Sequence, residues 1–189
     1  MAALTIPMAK ENKTAIQEVE NQLHASEARW FAVYTRSKSE KVVQRLLTNK
    51  DIENYLPLQR VTRRYTRKIK HYDIPLISCY IFVKITKREY VPVLETENVA
   101  KFIRFARNLY SIPEEQINLL KRIVGEGEDV AAEPGSFKEG DEVEVIGGKL
   151  TSIKGRMVER QGKKHMVVEL DSIGYSLRMT IDVALLRKI

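Results

Sequence analysis

Hydrophobic and polar positions recur with two different periods along this chain, and the switches between them mark out its elements. WFAVYT (30–35) is a run of aromatic and β-branched residues, which predicts a strand. Behind it Val42, Val43, Leu46 and Leu47 recur at helical spacing, so 38–49 predicts an amphipathic helix. SKSE (37–40) has the form of a capping box for that helix, with Ser37 at the N-cap and Glu40 at N3. IENYLPLQRV predicts a second strand, with Pro57 placing it at an edge or at the strand's start. LISCYIFVKI predicts a third, with Cys79 in mid-strand. Along 75–85, Tyr80 and Phe82 share one face while Cys79, Ile81 and Val83 share the other. A strand apolar on both faces has to be covered on both.

TKRE (86–89) offers another capping box, but Pro92 would remove a hydrogen bond inside the helix that follows, so a short or kinked helix is expected. VAKFIRF (99–105) predicts a fourth strand. IPEEQINLLKRIVG has Pro113 near its first turn, acids behind it and Gly125 at its end, the signals of a helix. The order β-α-β-β-α-β-α implies an α+β fold, an α/β sandwich of one mainly antiparallel four-stranded sheet with helices packed on it. EGEDVAAEPGSFKEG (126–140) is acidic, contains Pro and Gly and shows no period, so it reads as a linker of about 15 residues. DEVEVI, KGRMVER, KKHMVVEL and YSLRMTID are short alternating segments separated by turn residues, the pattern of a small β-barrel. The expected organisation is therefore an extension at 1–28, a first domain at 29–125, a linker at 126–139 and a barrel domain at 140–189. Within the extension, Ile16, Val19 and Leu23 fit one helical face, enough for a docked helix or a frayed tail.

Charge changes this picture by being uneven. Residues 29–122 carry a net charge of +11, against +7 for the whole chain, so this segment holds the entire basic excess. Arg60, Arg63, Arg64, Arg67, Lys68 and Lys70 are packed between the second and third strands, with no acid before Asp73. A surplus so local points to an anionic partner such as nucleic acid. Tyr65 and His71 in the same stretch could stack on an exposed base. Hydrophobic content of 43% is enough for a core, and no apolar run approaches the ~20 residues of a membrane-spanning helix. With no signal-peptide pattern at the start and a single cysteine, a cytoplasmic protein without disulfides or membrane contact is expected.

Chemistry for catalysis is not evident. There is no phosphate-binding G-x-x-x-x-G-K-[ST] loop and no dinucleotide fingerprint. His24, His71 and His165 lie in three separate segments, which argues against a metal site. Cys79 in apolar company reads as a small inert core residue. The expectation is a protein that is no enzyme and needs no metal or cofactor.

Specific stretches carry a family resemblance. WFAVYTRSKSEKVVQRL (30–46) resembles the opening strand and helix of the NusG amino-terminal (NGN) domain. PLISCYIFVKI (75–85) is similar to that family's P-L-F-P-G-Y-[VL]-F-V strand, and VAKFIRF followed by IPEEQI resembles the end of the same domain. GDEVEVIGGKLTSIKGRMVE (140–159) is similar to the KOW motif, G-D-x-V-x-V-x-x-G-P-F-x-G-x-x-G. YLPLQRV and KFIRFARNLYSIPEEQI look most like the specialised UpxY and RfaH type paralogues that serve capsular polysaccharide operons. Ser78 and Cys79 depart from the family's Pro-Gly before Tyr80, and Lys149 and Ser152 from the Pro and second Gly of the KOW loop.

The resemblance implies an NGN-type sandwich followed by a KOW β-barrel, acting as a monomeric antitermination or elongation factor on RNA polymerase. By family position Tyr34, Ile77, Tyr80, Phe82 and Phe105 match the pocket for the clamp helices of the polymerase's largest subunit. Arg36 and Lys38 match positions that face non-template DNA, and the basic ribbon would lie along that strand or the nascent RNA. Gly148, Lys149, Leu150 and Gly155 form the KOW loop. The barrel's expected partner is termination factor Rho or a ribosomal small-subunit protein. A general NusG-type factor is the alternative role, and a ribosomal or RNA-binding structural KOW protein the alternative class.

Overall fold

A four-stranded antiparallel sheet forms the body of the amino-terminal half. The computed structural model describes residues 21–66, 68–104, 107–126, 128–134, 140–160, 163–170 and 174–189. Phe105, Arg67 and the apolar positions Ile16 and Val19 lie outside the described residues. The sheet is built from β1 (Arg29–Thr35), β2 (Glu53–Tyr55), β5 (Tyr80–Ile85) and β6 (Val99–Phe102), in the order β2-β5-β1-β6. β5 pairs with β1 from Arg29↔Ile85 to Tyr34↔Tyr80. Its alternation separates two cores. Phe31, Val33, Ile81, Val83 and Ile85 face one way, onto Val43 and Leu47 of α1 (Glu40–Thr48) and Val93 of α2 (Tyr90–Leu94). Trp30, Ala32 and Phe82 face the other, onto Ile117, Leu120 and Ile123 of α3 (Glu114–Glu126). Both faces of β5 are thus covered, as its composition requires.

Between β2 and β5 the chain leaves the sheet as a two-stranded ribbon, β3 (Leu58–Tyr65) and β4 (Lys68–Pro75), which among the described residues pair only with each other. The predicted second strand therefore splits at buried Leu56 and Pro57, and the chain turns out of the sheet there. The ribbon is closed at its base by the Leu76 N–H donating to the Pro57 carbonyl at 2.8 Å.

Several local expectations need correction. α1 begins at Glu40, with Ser39 at its N-cap and no side-chain cap bond, so the Ser37–Glu40 capping box does not form. The second box does: Glu89 Oε2 accepts from the Thr86 N–H at 2.7 Å and from its hydroxyl at 2.8 Å, opening a single 3-10 turn that runs into the short α2 holding Pro92. Cys79 is not in mid-strand. It ends the Leu76–Cys79 turn before β5, with φ of 65°. The segment read as a linker contains β7 (Glu128–Pro134), paired antiparallel with β11 (Tyr175–Thr180) and burying Val130. Its Val130-Ala132 alternation is short and ringed by acids, and only the neighbouring strand makes it a strand. Asn21, within the expected extension, bridges to Leu109 rather than continuing a helix.

The carboxyl-terminal half is a six-stranded antiparallel sheet in the order β12-β8-β9-β10-β11-β7, with β8 (Glu142–Val145), β9 (Lys154–Arg160), β10 (Lys163–Leu170) and β12 (Leu186–Lys188). Val143, Val145, Met166, Val168, Leu177 and Met179 form its core. Its alternating charges pair across strands, Arg156 with Glu142 at 2.9 Å and Arg187 with Glu144 at 2.7 Å. Gly155 is needed for a close approach: a Cβ there would lie 2.4 Å from the Val167 carbonyl oxygen.

Candidate polymerase and nucleic-acid surfaces

The aromatic positions gather where β1 and β5 meet, yet they are not equally accessible. Ile77 and Phe82 are buried in the core, Phe82 stacked on Tyr55 at 6.4 Å between ring centroids. Burial pushes the Tyr55 hydroxyl up to about 12. Tyr80 is half-buried and also pushed up to about 12, first by burial and then by the neighbouring Tyr175. Tyr34 is 37% exposed and meets Tyr80 edge-on at 5.7 Å. A hydrogen bond with Cys79 holds the Tyr34 hydroxyl above its ordinary value. Lys101, opposite Tyr34 on β6, places its ammonium 6.0 Å from the ring centroid. The expected five-residue pocket is thus, among the described residues, two core side chains, a half-buried Tyr80 and an exposed Tyr34.

This face is also covered from the carboxyl-terminal half. Tyr175 of β11 packs edge-on against Tyr80 at 5.3 Å, and Arg122 of α3 donates to the carbonyls of Lys149 and Thr151, each at 3.0 Å. Tyr175 and Arg122 carried no signal in the sequence that would have singled them out. Of the four predicted KOW-loop positions, Gly148, Lys149 and Leu150 lie in the loop between β8 and β9, while Gly155 lies within β9 and pairs with Val143. Gly148 has a φ of 77°, Leu150 is buried, and Lys149 offers its backbone to Arg122. Ser152, where the resembled motif has glycine, takes a φ of 69°.

The turn before β5 is held by an unexpected residue. Glu40 is 5% exposed, and its Oε1 accepts the Cys79 backbone N–H at 2.8 Å. A left-handed φ is costly for a residue with a Cβ, of order 1 kcal/mol, and a charge-assisted hydrogen bond to the same residue offsets it. Arg36 and Lys38 are exposed on the β1–α1 turn, beside Tyr34, and Lys38 too is left-handed at 61°.

The other cations lie on the ribbon, in two sets. Directly opposed residues of an antiparallel pair share a face. One face carries Arg60 with Asp73, Thr62 with His71 and Arg64 with Ile69; the other carries Val61 with Tyr72, Arg63 with Lys70 and Tyr65 with Lys68. Tyr65 and His71 therefore point to opposite sides and cannot stack on one base. Tyr72, which sequence reasoning passed over, joins Tyr65 instead.

A family model described as "Transcription termination factor nusG" matches residues 28–121. Residues 28–121 are a NusG-family domain. Among solved structures, Thermotoga maritima NusG, whose structure is described by its domain interaction, is similar at a TM-score of 0.51 and 20% identity, covering 86% of this chain and 98% of that one. Two conformations of the MjSpt4:Spt5 complex align at 16% identity over 85% of this chain and 97% and 96% of theirs, with TM-scores of 0.30 and 0.29, too low to bear on the fold. A search of curated proteins finds no match to the sequence. The NusG domain thus spans the four-stranded sheet, the ribbon and most of α3, and members of its family are transcription factors rather than enzymes.

Proposed function

We propose that this chain binds elongating RNA polymerase and suppresses pausing and termination, in the service of a capsular polysaccharide operon. The observation that carries the reading is the NusG-family domain with exposed Tyr34 and half-buried Tyr80 at the strand pair Tyr34↔Tyr80. In this proposal the clamp helices of the largest subunit sit against that edge. Arg36, Lys38 and the ribbon contact non-template DNA or nascent RNA, and the six-stranded sheet is a KOW barrel that recruits Rho or a ribosomal small-subunit protein. The same proposal divides the chain into an NGN domain at 29–125 and a KOW domain at 140–189. No bond is made or broken. The factor acts by binding the elongating state of polymerase more tightly than the paused one, and a difference of ~1–2 kcal/mol shifts their ratio several-fold.

Because Tyr175 covers Tyr80, docking on that edge requires the carboxyl-terminal half to move aside. Polymerase capture should fall at least tenfold for Tyr80→Ala, while circular dichroism shows the chain still folded. Unchanged capture would remove the pocket from the account. The operon-specific role rests on the basic ribbon and the UpxY-like stretches; the family model's own description favours the general factor. Transcript profiling of a deletion strain separates them, since loss confined to one operon fits only the specialist.

A further inference from the structure

The two faces of the ribbon differ in what they have left to offer a ligand. On the first, Arg60 donates through Nε to Asp73 Oδ1 at 3.1 Å, and the Thr62 hydroxyl lies 2.9 Å from His71 Nδ1. Asp73 is the only acid between residues 58 and 75, and it sits on this side. The second face has Arg63, Lys68 and Lys70, all exposed, and no carboxylate among the described residues. Among these cations lie two tyrosines, Tyr65 at 48% and Tyr72 at 37% exposure, so both rings leave apolar surface in water on one face. Their hydroxyls lie 3.5 Å apart, and the Arg63 guanidinium carbon is 5.8 Å from the Tyr72 ring centroid. The polar tips of the rings are thus turned to each other.

We infer that this second face is a binding site for single-stranded nucleic acid, in which unpaired bases stack on Tyr65 and Tyr72 while Arg63, Lys68 and Lys70 hold the flanking phosphates. The ligand class follows from the chemistry. Three cations within two short strands, with no acid on their face, suit a polyanion. Exposed aromatic rings suit bases whose faces are free, and in a duplex those faces are stacked on one another. A two-stranded ribbon also fits a major groove, but reading base edges there relies on donors and acceptors rather than ring faces. The site rests on the proposed role at polymerase only for which strand would be at hand.

The test uses the full chain and fluorescently labelled 15-nucleotide oligo-dT, oligo-rU and a duplex of equal length, read by anisotropy across a salt series. Single strands should bind at least tenfold more tightly than duplex. Tyr65→Ala and Tyr72→Ala should each weaken single-strand binding about fivefold or more, and Tyr65→Phe and Tyr72→Phe should preserve it. Lys70→Gln should flatten the slope of log affinity on log salt by about 0.7. Thr62→Ala, on the opposite face, should change nothing. Preference for DNA or for RNA, or equal binding of both, supports the site and identifies its source strand. Duplex bound as well as single strand, alanine variants that bind like wild type, or phenylalanine variants that fail like alanine would each overturn it. Capture of RNA polymerase by the same variants is measured in parallel. If polymerase is not captured but single strands are, the polymerase role fails and the ribbon site stands.

Discussion

The ribbon and strand β5 are separated by the four residues Leu76–Cys79, yet they meet opposite physical demands. β5 runs through the middle of the sheet with Ile81, Phe82, Val83 and Ile85 all at 0% exposure. Among the described residues the ribbon pairs only with itself, and it leaves Arg60, Thr62, Arg63, Arg64 and Tyr65 of β3 exposed. Its stability has to come from its own ladder and the closure at Pro57, because it buries little. An abrupt change from charged to apolar sequence is therefore a change of environment at a turn. It lets one short segment supply both a surface that binds and a core that folds.

The contrast predicts its largest difference at Phe82 and Tyr72. Phe82→Ala should destabilise the chain by about 3–5 kcal/mol, through lost burial and the cavity left beside Tyr55. Tyr72→Ala should change stability by less than about 0.5 kcal/mol, because an exposed ring leaves no cavity. Urea unfolding of both variants is the check. A Tyr72 variant as unstable as the Phe82 variant would mean the ribbon is integral to the core. Next in size is the seam itself. Glu40→Ala should cost about 1–3 kcal/mol by leaving the Cys79 N–H without its acceptor, and hydrogen exchange at Cys79 should accelerate with it.

How much of this was legible in the sequence depends on how local its cause is. The strands and helices of the four-stranded sheet follow from side-chain periodicity, and Trp30 to Thr35 or Glu114 to Glu126 could be placed without knowing their neighbours. Glu40 could not, because the S-x-x-E pattern fits a capping box as well as a helix start, and only the folded turn brings Cys79 within its reach. β7 stayed hidden for a related reason. Val130 and Ala132 alternate for one repeat among acids, and what makes them a strand is β11, more than 40 residues away. The ribbon's basic character was plain, but its faces depend on register. With Leu58 opposite Pro75, Tyr65 shares a side with Tyr72 and not with His71. A one-residue slip in register, setting Tyr65 opposite Ile69, would put it on the side of His71 instead. The burial of Ile77, in the turn before β5, and of Phe82, within β5, was not legible either, since an apolar residue has the same signature in a core and in a pocket.

Cys79 gives the next prediction, of opposite sign. At φ of 65° the Cβ is a liability that glycine lacks, and the resembled motif has glycine at this position. Cys79→Gly should stabilise the chain by about 0.5–1 kcal/mol, part of the relief being offset by the greater freedom of glycine when unfolded. Thermal melts under reducing conditions would show it as a small rise in Tm. In the Glu40→Ala background the same substitution should still help, since the torsional cost does not depend on the carboxylate. A loss of stability instead would show that the thiol's contact with Tyr34 outweighs the strain.

The smallest expected effect concerns how β5 is tied to the helix that covers it. Glu114, in the first turn of α3, accepts from Lys84 Nζ of β5 at 2.9 Å and from Trp30 Nε1 of β1 at 3.0 Å. The hydrogen bond from Lys84 holds the Glu114 carboxyl below its ordinary value of 4.5, with a smaller contribution in the same direction from Trp30. A carboxylate whose folded pKa is depressed contributes stability above its unfolded value, and loses it as pH falls through the lower folded one. The contribution is therefore present at pH 6 and fades below about pH 4.5. Lys84 and Glu114 are 26% and 47% exposed, so solvent screening limits the pair to roughly 0.5–1 kcal/mol. Glu114→Gln should be less stable than wild type by that amount at pH 6 and nearly equal to it at pH 3, because glutamine keeps the shape but not the titration. The ribbon's Arg60–Asp73 pair, at 73% and 46% exposure, should contribute less still, and Asp73→Asn should not shift the urea midpoint measurably. If that substitution cost as much as Glu114→Gln, the ribbon would be held by its ions as firmly as the sheet is tied to α3, and the division between a binding surface and a folded core would not hold at the level of charge.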